Sequence, residues 1–265
     1  MTFGLAFHLT DLWLIAGSIL LVLLAAGEIG WRIGHRGRAE SETLRALVGG
    51  IAAATLGFLG LLLGFSLSMA ISRFDARRAV IVDEANAIGT LWLRAGLLDA
   101  SLRSELRGAL RDYTDARVDL GRMGSDLGKL YEARERSAAA QRVMWSVVER
   151  AAQPGSNPAV VSALVTAANT VIDLDELRMA SLENYLPAPI ILLLLGVASV
   201  SLAFLGWSFG AAGQRSLISM TLVALLVTAV LAVIMDISRP HRGLLRVSDQ
   251  SLVRLQRSFA APGSP

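Results

Sequence analysis

ALVGGIAAATLGFLGLLLGFSLSMAIS, running from Ala46 to Ser72, is a stretch of 27 residues without a single charge. A bilayer core of roughly 30 Å takes about 20 apolar residues to cross as a helix, so this stretch is long enough to span one. Three further uncharged runs share its character: Leu12 to Gly27, Asn184 to Gln214 and Ser216 to Met235. The first reaches full length only by taking in Glu28 and continuing to Trp31. That places one carboxylate in its last turn, at headgroup depth, where a side chain can snorkel. Between the second and third runs lies a block of 111 residues, Arg73 to Glu183, that holds most of the charge. The expected fold is an all-α integral membrane protein, with four transmembrane helices in two hairpins flanking a soluble helical block. The expected boundaries are 1–72 for the first hairpin, 73–183 for the extramembrane helices, 184–236 for the second hairpin and 237–265 for a membrane-proximal turn, short helix and disordered tail.

Composition agrees with the spans, since 54% of residues are hydrophobic and only 18% charged, too apolar a balance for an ordinary soluble domain. The chain has no cysteine, which excludes disulfides, thiolate catalysis and cysteine-ligated metal centres. His8, His35 and His241 are far apart, none has a second histidine at helical spacing, and only His8 has a carboxylate there, Asp11. No metal site or cofactor is expected from them. The central block is nearly balanced, 15 basic to 16 acidic, so nucleic acid is not an expected partner. Basic excess sits by the spans instead, at Arg32, Arg36, Arg38 and Arg45 and again at Arg239, Arg242, Arg246, Arg254 and Arg257, a footprint for phospholipid headgroups. Ala25-Ala26-Gly27 has the look of a signal-peptide cleavage site, but nothing basic precedes the apolar run and Asp11 does. The segment is therefore read as a retained span.

With four spans, both termini and the central block share one side. Lys and Arg near the span ends number eight on that side against five on the other, which favours a cytoplasmic block, although the first span taken alone, with four arginines after it, says the reverse. The block reads as helix. Leu102, Leu106, Ala109, Tyr113, Ala116, Leu120, Met123 and Leu127 step by four and three, and Leu130, Ala133, Ser137, Ala140, Met144, Val147 and Ala151 resume the rhythm. This is a coiled-coil-like seam. Gly121, Gly124 and Gly128 interrupt it and predict a bend there. Asn157-Pro158 predicts a new helix start, asparagine capping and proline in the first turn.

Within the second span Ala46, Gly49, Gly50, Ala53, Gly57, Gly60, Gly64 and Ser68 fall on one arc of the helical wheel. Such a face suits close helix packing, and Gly50, Gly57, Gly60, Gly64 and Ser68 are its expected contact residues. The other side carries Ile51, Phe58, Leu62, Phe65 and Met69, a bulky apolar face that meets either lipid or, in a ring of subunits, a central constriction. Past the membrane, Asp83 and Glu84 have no basic residue three or four positions away, so they are solvated or find partners on another element. One candidate partner is Arg239 or Arg242, in the polar turn that follows the fourth span. Gly206-Trp207-Ser208-Phe209-Gly210 fits the nucleophile-elbow pattern of serine hydrolases, but an apolar helix precedes it where a strand is required, and no histidine is near. It is a chance match, and no enzymatic activity is expected.

Arg73, Arg77, Arg78, Asp83, Glu84, Ala85, Asn86, Ala87, Ile88, Gly89 and Thr90, together with Asp236, Arg239, Pro240 and Gly243, resemble the signature of the bacterial bestrophin-like membrane proteins, and the shared layout covers about residues 10 to 255. The resemblance implies relatives that form pentameric anion channels, some bacterial ones passing cations, with the second span forming a narrow apolar neck. By that analogy Phe58, Leu62, Phe65 and Met69 are the candidate neck residues. The Arg-Phe-Pro-Thr run of animal bestrophins is missing, and the glycine-rich second span departs from theirs. The implied protein is a homo-oligomeric ion channel in the bacterial inner membrane, with the lipid bilayer, its own copies and inorganic ions as partners. The competing expectation is a non-conducting scaffold or sensor whose helical block binds a partner.

Overall fold

The structure, a computed structural model, describes residues 12–37, 42–122, 127–183, 187–238 and 247–260. Among these, eight helices account for nearly every residue and no strand occurs. They are α1 (Leu12–Arg36), α2 (Glu42–Ala95), α3 (Ala100–Arg122), α4 (Leu127–Ala151), α5 (Pro158–Glu183), α6 (Ala188–Ala211), α7 (Leu217–Ile237) and α8 (Gln250–Ala260). Four of them, α1, α2, α6 and α7, are long and apolar enough to cross a membrane. The second span and the charged segment after it are one helix of 54 residues, because no proline interrupts it; at a rise of ~1.5 Å per residue it is about 80 Å long. It ends in a tight turn where the N–H groups of Gly96, Leu97 and Leu98 donate to carbonyls three residues back. The Asp99 carboxylate then accepts the N–H groups of Ser101 and Leu102 and starts α3.

The chain divides into two compact units. One comprises α1, α2 as far as Arg73, α6 and α7; the other comprises α2 from Phe74, α3, α4, α5 and α8.

In the first unit α1 lies along α6 and also touches α7. Glycines on both partners bring the backbones together. A Cβ at Gly30 would run into the main chain of Ala203, one at Gly34 would come within 2.6 Å of the Trp207 ring, and one at Gly206 within 3.0 Å of Trp31 N. A Cβ at Gly210 would come within 2.8 Å of His35 N. The two glycines of the elbow-like pattern thus form part of the packing surface against α1. Glu28 is anchored rather than loose: it accepts from Arg32 Nε at 2.9 Å and from Arg215 Nη2 at 3.3 Å. Arg215 also covers the Trp31 ring, whose Nε1 donates to Gln214 O at 3.0 Å. Large apolar side chains such as Leu21, Ile218 and Leu226 remain exposed on these helices, as a lipid-facing surface requires.

In the second unit the four-three seam is where the core lies. Leu106, Ala109, Tyr113, Ala116 and Leu120 are buried on α3, and Ala133, Ser137, Ala140, Met144, Val147 and Ala151 on α4. The two helices, one ending at Arg122 and the other beginning at Leu127, pack against each other, so the seam belongs to a helical pair and not to one long helix. Met123 and Gly124 lie outside the described residues. Asn157 Oδ1 accepts the Ala159 N–H at 3.0 Å, with Pro158 as first helical residue. The last helix, α8, is held by buried Leu252 and by Phe259, which stacks on Trp92 at 4.0 Å between ring centres.

Candidate functional site

Around the membrane-spanning part of α2 the side chains sort into three faces. Val48, Ala52, Leu59, Leu63, Ser66 and Ala70 are buried within the chain. At ~100° per residue this face lies about a quarter of a turn from the bulky face and about a third of a turn from the glycine face. Phe58, Phe65 and Met69 are exposed, at 53%, 65% and 39%, and Leu62 is half-buried. Gly50, Gly57, Gly60, Gly64 and Ser68 are exposed too, and a Cβ built on any of these four glycines meets nothing within 4 Å. Inside one chain, therefore, the small-residue face is not where α2 packs. Within the chain the contacts of α2 are supplied by the Val, Leu, Ala and Ser residues of the third face.

The signature residues divide as sharply. Arg77 is buried and its Nε donates to Ser181 O at 3.3 Å. Glu84 is fully buried, Asp236 is buried, and Arg73 and Gly89 are partly so. Arg78, Asp83, Asn86 and Thr90 are exposed. Arg239, Pro240, Arg242 and Gly243 lie outside the described residues, so the expected pairing of Arg239 or Arg242 lies there as well. Solvation holds for Asp83 but not for Glu84, whose partners come from other helices.

Glu84 Oε1 accepts from Arg117 Nε at 2.6 Å and from the Tyr113 hydroxyl at 2.9 Å, and Oε2 from Arg178 Nη1 at 2.8 Å. The two arginines reach outward to further carboxylates. Arg117 pairs with Asp175, which also accepts from Gln141 Nε2 at 2.8 Å, and Arg178 Nη2 donates to Asp249 at 3.0 Å. One carboxylate of α2 thereby joins α3 and α5, and through them α4 and the residue preceding α8. Gly121 belongs to the arrangement, because the Asp249 carboxylate occupies the space a Cβ there would need.

Burial alone would push the Glu84 carboxyl up, but the Arg117 and Arg178 guanidinium groups, with the hydrogen bonds of Arg178 and Tyr113, outweigh it and hold Glu84 below its ordinary value. Arg117 is buried as well; Glu84 first, then Tyr113 and Asp175, keep it above the usual arginine value despite that. Burial, then the adjacent Glu84 charge, drives the Tyr113 phenol well upward, so it stays a donor. Asp249 goes the other way from Glu84, raised by burial in spite of Arg178 and further by Glu84. All of these groups lie outside the spanning segments. No cluster of histidine and carboxylate side chains that could hold a metal occurs among the described residues. The assembly is a buried electrostatic clamp, and nothing in it resembles a nucleophile with its base.

Spacing could not reveal this clamp, since Glu84 is separated by 33 residues from Arg117 and by 94 from Arg178. Its one sequence signal was negative: a carboxylate among apolar residues with no local cation.

Comparison with known proteins supplies the remaining link. No curated protein matches the chain in sequence. Two solved structures, both of substituted forms of a bacterial bestrophin homolog from Klebsiella pneumoniae, are similar in fold at 13% identity. One has a TM-score of 0.62 over 91% of this chain and 96% of that one, the other 0.63 over 94% and 97%. The Bestrophin-like domain model matches residues 19–252, from within α1 through the other three spans, the helical block and the clamp. The chain is a membrane protein belonging to the Bestrophin-like family.

Proposed function

We propose that the protein is a homo-oligomeric ion channel of the bacterial inner membrane, in which α2 of each copy lines a shared axis. Five copies are the number by analogy with bestrophins. The helical unit and both termini are cytoplasmic, and Phe58, Leu62, Phe65 and Met69 form the neck. The observation that carries this reading is the division of the α2 perimeter. One face packs within its own chain, and two faces, one of glycine and one of bulky apolar side chains, are left unused. A ring built from one repeated contact uses a different surface of each copy on its two sides. The glycine face, free of side chains, suits close approach to the neighbouring copy. The bulky face then points to the axis, where a hydrophobic constriction gates by excluding water.

Reconstitution of the purified protein in a planar bilayer tests the proposal. Single-channel current that rises on Phe58→Ala or Phe65→Ala supports it. A silent bilayer with intact oligomers points instead to a scaffold whose spans are anchors.

A further inference from the structure

Three arginines one turn apart, Arg103, Arg107 and Arg111, line one face of α3. No carboxylate among the described residues pairs with any of them. Glu105 and Asp115 on the same helix are engaged elsewhere, by Arg150 and by Gln256. Arg103 donates from Nη2 to Leu98 O at 2.8 Å, and Arg111 reaches Phe259 O only at 3.4 Å. Arg107, half-buried, makes no hydrogen bond among the described residues, and the Nε groups of Arg103 and Arg107 are both buried without an acceptor.

The guanidinium groups of Arg107 and Arg111 sit 4.6 and 5.0 Å from the centre of the Trp92 ring. Such contacts stabilise the stacked guanidinium groups, but they leave the buried Nε donors without acceptors, which is costly. Burial, then the neighbouring charges of Arg103 and Arg111, pulls the Arg107 guanidinium below its ordinary value. Convergent positive charge with unfilled, forked donors matches an oxyanion bearing several acceptor oxygens.

We propose that Arg103, Arg107 and Arg111 form a binding site for a phosphate-bearing anion, beside the turn at 96–99 and over Trp92. Binding supplies the missing acceptors and draws the guanidinium groups away from the indole. The site stands apart from the α2 faces and does not depend on conduction.

Trp92 makes the binding visible. The full chain in detergent is titrated with inorganic phosphate or pyrophosphate, against chloride at equal ionic strength, while tryptophan emission and thermal unfolding are followed. A saturable emission change is expected, lost in Trp92→Phe, with half-saturation raised roughly tenfold or more in Arg107→Gln and less in Arg107→Lys. Removing an unpaired charge should leave the fold intact; if Arg107→Gln does not fold, Arg111→Gln carries the same test. A response seen only in vesicles containing phosphatidic acid supports the site and assigns the phosphate to a lipid headgroup. No response to any of these, or an unchanged one in the arginine variants, overturns the proposal. So does dissociation of the oligomer in Arg107→Gln without phosphate dependence, because the stripe would then meet acidic residues of a second copy.

Discussion

At the scale of single residues, Glu84 decides the most. Its carboxylate neutralises two guanidinium groups that are themselves almost fully buried. Replacing a partner in a buried pair strands the rest, at a cost of about 3–5 kcal/mol. Glu84→Gln should therefore lower stability by that order in a denaturation experiment, and far more than Asp249→Asn, whose native carboxyl is already held up by burial. The pH dependence has a definite sign. A carboxyl lowered in the folded state gives up its proton more readily there than in the unfolded chain, so its contribution is complete above the ordinary glutamate range. It is lost as pH falls through the lowered value. Wild-type protein should lose stability on acidification below that range, and Glu84→Gln should flatten this part of the profile. Asp249 contributes in the opposite sense, its raised value favouring the folded state only while it is protonated. Gly121→Ala is a sharper steric probe, because its methyl group must displace the Asp249 carboxylate. A loss of about 1–3 kcal/mol is expected, relieved when combined with Asp249→Ala; an additive double mutant would show that the two do not compete for space.

At the scale of elements, glycine plays two roles that spacing alone does not separate. Gly27, Gly30 and Gly34 on α1, and Gly206 and Gly210 on α6, recur every three or four residues, as do Gly57, Gly60 and Gly64 on α2, with Gly50 seven residues before them. Only the first two sets meet a backbone within the chain. Gly30→Ala and Gly206→Ala should each disrupt folding of the membrane unit, seen as aggregation on extraction or a large fall in unfolding temperature. Gly57→Ala and Gly64→Ala should leave a folded chain and instead weaken association between copies, read by cross-linking or native mass. If the α2 variants keep full assembly, the small-residue face is not an interface. The helices themselves were legible in the sequence, because apolar run length fixes a span and the four-three step fixes the seam from Leu102 to Ala151. Which faces meet was not. Packing depends on the shape of residues distant in sequence, and Gly27 and Gly206-Gly210 carried more familiar local meanings, a cleavage site and a hydrolase elbow. The clamp escaped for the same reason, each of its charges being ordinary until folding removed its water.

At the scale of the whole molecule, the question is which medium surrounds the bulky face of α2. Phe65 and Leu226 are almost equally exposed on a single chain, at 65% and 67%, so exposure cannot distinguish an aqueous constriction from the acyl region. Chemistry can. The thiolate is the reactive form of cysteine and is formed in water far more readily than in hydrocarbon, where desolvation raises the pKa. The native chain has no cysteine, so each introduced thiol reports alone. In the proposed ring, Phe65→Cys and Phe58→Cys face water whenever the neck is wetted, whereas Leu226→Cys on α7 faces lipid. A charged, membrane-impermeant thiol reagent should modify the two neck positions at least tenfold faster than Leu226→Cys, roughly the effect of one unit of pKa. Modification should also change the current through reconstituted protein, by adding charge where dewetting controls passage. Equal, slow labelling at all three positions would place Phe58 and Phe65 in the bilayer and leave the glycine face as a contact without a pore.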